Sequence, residues 1–224
     1  MPELRRNELE LFLIHEMRSK ASAEWIQELK AEYTHFEKIV HFGCSSGAET
    51  LALMSEFNSR EALGVDRDIY QAEQTMSDLK KWIGESLQAL PFSSRLDQLW
   101  WKEDVPGFLK EQFFPYFIME PDIAHPRQPY QIPSNLFDLA CCSNLLYQIA
   151  EYQGKEDTLY TTREMKRVTV NGGLIVANEP DNGSQARFTS SFEAVGLIQV
   201  KIKSVQFKPG QGITTYTYRK IENG

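Results

Sequence analysis

Long apolar runs are missing from this 224-residue chain. None approaches the roughly 18 residues that a membrane-crossing helix needs, and the charged start, Met1 to Arg6, holds no signal-peptide core. Cysteine is scarce as well: three residues, an odd number with Cys141 and Cys142 adjacent, which excludes a disulfide framework and suits a reducing compartment. A cytoplasmic protein without bridges is therefore expected. The four histidines share no ligand spacing with the cysteines, so no metal is expected. A concentrated positive charge is absent too. The formal net charge is −7, with basic residues dispersed or in short pairs such as Arg5-Arg6 and Lys80-Lys81, which weighs against nucleic acid and anionic membrane as partners. Gly-x-x-x-x-Gly-Lys-Ser/Thr and Gly-x-Ser-x-Gly do not occur, which removes the phosphate-cradling loop and the nucleophile elbow.

What is present is the composition of a folded domain, 42% hydrophobic and 25% charged, with 13 glycines and 10 prolines too few for a disordered or fibrous chain. Apolar residues recur at helical spacing over 7–36, predicting two helices or one broken near 19–23. Residues 38–42 predict a first strand and 48–57 a helix; 62–66 predict a second strand and 69–83 another helix. Such βαβ order implies a parallel sheet. Residues 84–115 read as an insertion, with a short helix near 108–113, because the stretch is too small to enclose a core. Further strands are predicted at 116–119, 136–142 and 174–178, the last two separated by a helix over 158–168 and the turn Asn171-Gly172-Gly173. A helix over 184–195 and two strands at 199–205 and 213–219, joined as a hairpin, end the chain. The expected architecture is α/β: a doubly wound, Rossmann-like, seven-stranded and mostly parallel sheet with an antiparallel C-terminal strand pair and helices on both faces. Residues 1–36 would form a helical lid and 37–224 the main domain.

Ligands of doubly wound sheets sit beyond the carboxyl ends of the strands. There the first turn, His41-Phe42-Gly43-Cys44-Ser45-Ser46-Gly47, combines small residues that admit a ligand to the backbone with amides at a helix start that favour a carboxylate. Nineteen residues after Gly47, Asp66 ends the second strand, where an acidic side chain can accept two hydrogen bonds from ribose hydroxyls. Either feature alone is common in α/β proteins; together and in register they point to a nucleoside joined to an amino acid.

The strings Val-His-Phe-Gly-Cys-Ser-Ser-Gly-Ala-Glu-Thr, Gly-Val-Asp, Phe-Asp-Leu-Ala-Cys-Cys-Ser-Asn-Leu-Leu-Tyr and Lys-Arg-Val-Thr-Val-Asn-Gly-Gly-Leu-Ile-Val resemble class I S-adenosylmethionine-dependent methyltransferases over residues 39–219. Two of them resemble most the CheR-type chemotaxis-receptor glutamate methyltransferases, whose amino-terminal helical domain is mostly missing here. The resemblance implies S-adenosylmethionine as cofactor. Gly43, Cys44, Ser45 and Gly47 would wrap its methionine part, Asp66 would hold the ribose with Arg67 beside the adenosine, and Asp122 and Ile123 would contact the adenine. Cys142, Ser143 and Asn144 would lie beneath the sulfonium. Two positions depart from the pattern: His41 stands where an acidic residue is common, with Glu49 a possible substitute, and Ser45 replaces the middle glycine.

Ser45 also argues against a nicotinamide-dinucleotide site, because its side chain would crowd a pyrophosphate. Tyr147 and Glu179, after the fourth and fifth strands, are the candidates for touching the methyl acceptor. The acceptor is a small molecule by first choice and a protein side chain by second. His41 and Ser45 motivate a third possibility, a cofactor-binding or interaction module without catalysis.

Overall fold

The computed structural model describes residues 20–45, 47–66, 116–119, 132–181, 185–208 and 211–221. Helix α1 (Lys20–Glu32) leads into β1 (Lys38–Phe42), α2 (Ala48–Glu56), β2 (Glu61–Asp66), β3 (Tyr116–Met119) and β4 (Phe137–Ser143). Then come α3 (Leu146–Tyr152), α4 (Lys155–Val168), β5 (Thr169–Pro180), α5 (Gln185–Ala194), β6 (Ile198–Lys208) and β7 (Gln211–Arg219). The predicted helices over 69–83 and 108–113, the insertion at 84–115, and Arg67, Asp122 and Ile123 lie outside the described residues. Among those that are described, no helix is long and apolar enough to cross a membrane.

The strands form one seven-stranded sheet in the order β3-β2-β1-β4-β5-β7-β6. Pairing is parallel from β3 through β5, and β7 joins β5 and β6 antiparallel. The strand order reverses between β1 and β4, which is where a doubly wound sheet opens a crevice.

Alternation along the central strands divides the interior in two, because successive strand side chains point to opposite faces. Ile39, Leu139, Cys141, Leu174 and Val176 pack with Trp25, Ile26 and Leu29 of α1 and Leu53, Met54 and Phe57 near α2. Their neighbours Val40, Phe42, Ala140, Cys142, Ile175 and Ala177 pack with Leu146, Ile149, Met165, Phe188 and Phe192 of α3, α4 and α5. The two adjacent cysteines thus serve opposite cores, and all three cysteines are free and buried. Aromatic stacking extends the second core to the antiparallel end: Phe192 lies 4.2 Å from Tyr218, and Phe188 meets Tyr216 edge-on at 5.4 Å. The described part of the predicted N-terminal lid, α1, is a packed helix of this sheet, with Trp25 and Ile26 almost wholly buried.

Asn171-Gly172-Gly173, expected as a turn before the fifth strand, is a bulge inside β5. Phe137 pairs with Thr169 and Leu139 with Leu174, so the intervening chain bows outward. Gly172 takes φ of 80°, the left-handed region that glycine enters at no steric cost. Gly173 admits no side chain: a Cβ there would lie 2.7 Å from Thr169 Cγ2 and 3.0 Å from the Asp138 and Val170 carbonyl oxygens. Gly173→Ala should therefore lower stability by about 1–3 kcal/mol through overpacking, read as a lower urea midpoint with the transition slope unchanged. An unaltered midpoint would show that the bulge relaxes freely.

Candidate functional site

The loop between β1 and α2 is bent by three left-handed residues, Gly43, Ser45 and Gly47. It is tied to the end of β2 by three amides: Gly43 and Cys44 both donate to the Val65 carbonyl, at 2.7 and 3.3 Å, and Ser45 N–H donates to Asp66 Oδ2 at 2.8 Å. Gly43 also marks the closest approach to the loop after β4, where a Cβ would stand 3.1 Å from Leu145 Cδ1. Three strand ends thus meet at Gly43. The residues predicted at the first two, Gly43, Cys44, Ser45, Gly47 and Asp66, are brought together.

At the end of β4, Ser143 donates its hydroxyl to Glu49 Oε1 at 2.6 Å, and Asn144, with φ of 55°, donates its amide to the Asn178 carbonyl at 2.9 Å. Glu49, on the first turn of α2, receives the Trp25 indole N–H on the same oxygen at 3.0 Å. Its other oxygen stands 3.9 Å from His41 Nε2. Burial lowers the His41 pKa against the opposing pull of Glu49 and Asp66, so the ring is neutral near pH 7 and this contact is no ion pair. His41 Nδ1 is bonded to the Thr50 hydroxyl at 2.9 Å, while Nε2 is buried with no hydrogen-bond partner among the described residues. Glu49 is 13% exposed, and no lysine or arginine among the described residues pairs with it. A nearly buried carboxylate beside an unpartnered neutral ring nitrogen is short of positive charge, the condition that favours a cationic guest.

Cys142, expected beneath a sulfonium, is fully buried with its thiol turned to Glu179. Burial raises the Cys44 and Cys142 pKa values, with Asp66 adding to the first and Glu179 to the second, so neither is a thiolate at neutral pH.

Glu179 differs from its expected role. Its carboxylate is fully buried and accepts the backbone amides of Leu145, Leu146 and Tyr147 at 3.2, 3.0 and 3.1 Å, with the Cys142 thiol at 3.6 Å. It lies under the start of α3, satisfying amides that have no partner within the helix, and does not face outward to an acceptor. The physical reason is that strand-end direction alone cannot reveal a helix terminus arriving 32 to 34 residues earlier in the chain. Tyr147, half-buried on that first turn, packs against the core beside α3. Trp25 was not among the predicted site residues; an aromatic at helical spacing reads as core, and nothing in its surroundings marks a polar partner.

No protein-family profile matches the chain, and no curated protein matches it by sequence. Solved structures do match. The N-methyltransferase NodS from Bradyrhizobium japonicum WM9 superposes with a TM-score of 0.57 at 13% identity, covering 92% of this chain and 97% of that one. This chain has the class I methyltransferase fold. Geranyl diphosphate C-methyltransferase from Streptomyces coelicolor A3(2), solved with Mg2+, geranyl diphosphate and S-adenosyl-L-homocysteine, matches at a TM-score of 0.59 and 11% identity over 92% of this chain and 80% of that one. The [4+2]-cyclase SpnF matches at 0.60 and 13% over 89% and 82%. The narrower likeness to CheR-type enzymes is not among what these similarities show.

Burial dominates Glu179 and pushes its pKa from 4.5 up to about 7, against the pull of the three amides and the thiol. A carboxyl whose folded pKa is raised contributes stability that is complete below pH 4.5 and fades as pH rises through about 7. Thermal unfolding of the parent should accordingly fall between pH 5 and 8, and Glu179→Gln, which cannot ionise, should flatten that decline. Equal slopes in both proteins would assign the dependence to another group.

Proposed function

We propose that this chain is an S-adenosylmethionine-dependent methyltransferase that binds its cofactor across the carboxyl ends of β1, β2 and β4. The observation that carries the reading is the 2.8 Å bond from the Ser45 amide to Asp66, which sets the glycine-bearing loop and the strand-end carboxylate side by side at the point where the strand order reverses. One adenosyl amino acid fits between such groups, with Asp66 toward the ribose and the Gly43–Gly47 loop around the methionine part. Arg67, Asp122 and Ile123 are assigned to the adenosine end on the sequence resemblance.

The donor set also fits at the amino-acid end. His41 removes the acidic residue that commonly ends β1, and Glu49 supplies a carboxylate to the same place, 3.9 Å away. Among the described residues it has no cationic partner, which suits an ammonium group, and His41 Nε2, unpartnered among them too, stands beside it. When bound, the cofactor supplies an electrophilic methyl on a sulfonium. Against it the chain contributes alignment: Ser143 and Asn144 form the floor at the end of β4, and Glu179 holds the following backbone in place from behind. Positioning of this kind is worth up to about 7–11 kcal/mol in favourable systems. Tyr147 is the acceptor-side candidate that this arrangement retains. A small-molecule acceptor is favoured over a protein side chain, a choice supported by the fold's use on geranyl diphosphate in the S. coelicolor enzyme.

Titration calorimetry and thermal shift with S-adenosylhomocysteine test the reading. Ligand at one hundred times its Kd should add about 2.7 kcal/mol of stability. Asp66→Ala should weaken binding about 10- to 100-fold by removing a charged hydrogen-bond acceptor while leaving unfolding cooperative. Equal affinity in variant and parent would show that the ligand does not use this strand end.

A further inference from the structure

We infer that Trp25 is a positioning residue of the cofactor site, holding the Glu49 carboxylate in place for the ammonium end of the ligand, so that α1 belongs to that site and not to an acceptor lid. This rests on the methyltransferase reading above and extends it to an element whose fold role alone is core packing.

Trp25 is 3% exposed, and a buried indole N–H must find an acceptor. The acceptor it finds is a carboxylate on α2, 24 residues away and itself almost buried. A structural tryptophan is satisfied equally well by a main-chain carbonyl. Here the bond consumes part of a charged group that has no cation beside it among the described residues. Two donors converge on the same oxygen from different elements, Trp25 Nε1 from α1 and Ser143 Oγ from β4. With Oε1 fixed twice, the torsion of the carboxylate is set, and Oε2 is left on the side of His41.

The geometry also needs α1 to stay still, and its flanks are fastened. Glu28 and Glu32 pair with Lys203 and Lys201 of β6. Tyr33 accepts from Arg219 of β7 at 3.1 Å, and His35 is bonded to the Phe57 carbonyl at 3.0 Å just past α2. These contacts join α1 to the antiparallel end of the sheet on one side and to the cofactor-loop helix on the other. Trp25 lies between them, on the buried face, and delivers its one polar atom to Glu49.

The experiment compares two ligands in the full chain. S-adenosylhomocysteine carries the amino-acid end; 5′-deoxy-5′-methylthioadenosine keeps the nucleoside and sulfur and lacks it. Trp25→Phe preserves the ring packing and deletes the N–H. Its Kd for S-adenosylhomocysteine should rise about tenfold, as expected for the loss of a hydrogen bond to a charged group, with affinity for methylthioadenosine within about twofold of the parent. Equal weakening of both ligands would reduce Trp25 to a packing residue, and unchanged affinity for both would remove it from the site; either result overturns the inference. Should the variant fail to unfold cooperatively, the parent decides: the Trp25 indole N–H resonance, assigned by elimination from Trp82→Phe, Trp100→Phe and Trp101→Phe, should move with S-adenosylhomocysteine and not with methylthioadenosine. A resonance unmoved by S-adenosylhomocysteine overturns the inference. A parent that binds neither ligand removes the methyltransferase reading and this inference with it, an outcome distinct from normal binding by Trp25→Phe.

Discussion

A single hydrogen bond, Ser45 amide to Asp66 carboxylate, joins the loop after β1 to the end of the neighbouring parallel strand β2, and the placing of the two proposed cofactor groups side by side depends on it. The loop can reach Asp66 only because Gly43, Ser45 and Gly47 all take left-handed backbone conformations, which turn the chain back over β2 before α2 begins. Ser45 does this without glycine's freedom, a local cost of the order of 1 kcal/mol that the aspartate bond helps to offset. The same turn brings Gly43 against Leu145, so the third strand end is set by the packing of the first two. Parallel pairing of β1 with both β2 and β4 then fixes the strand ends at one level.

Two carboxylates close to this crevice illustrate opposite solutions to the cost of burying charge. Glu179 is wholly enclosed and surrounded by backbone donors, and burial still outweighs them, so that it titrates near neutrality. Its task is mechanical: it joins the end of β5 to the start of α3 and so steadies the loop that carries Asn144. Glu49 keeps a small window to solvent and is served by two neutral donors and a neutral histidine. The first carboxylate is satisfied by the protein itself; the second is left with capacity for a positive group.

Much of the sheet was legible in the chain because the strands of a parallel sheet are short, apolar runs that end at turn residues. Residues 38–42 and 116–119 are strands with the expected bounds, the strand expected at 62–66 begins one residue earlier, and the one expected at 136–142 is shifted by one. The adjacency of Gly43–Gly47 and Asp66 followed from βαβ order alone. What escaped was decided by tertiary contact. Helix α3 is only seven residues long and has no capping side chain of its own, since its cap, Glu179, arrives from another strand. The turn at Asn171–Gly173 became a bulge because Lys220 pairs with its backbone from the end of β7. Trp25 obeys helical spacing like any core aromatic, so its bond to Glu49 could be seen only once α1 and α2 were packed together.

The most direct measurement is a crystal structure of the chain grown with S-adenosylhomocysteine. The account predicts ligand density over the ends of β1, β2 and β4, with ribose hydroxyls on Asp66, the amino-acid part against the Gly43–Gly47 loop and the ammonium beside Glu49. Density at a different edge of the sheet, or a fully loaded crystal in which Asp66 touches nothing but the protein, would contradict it.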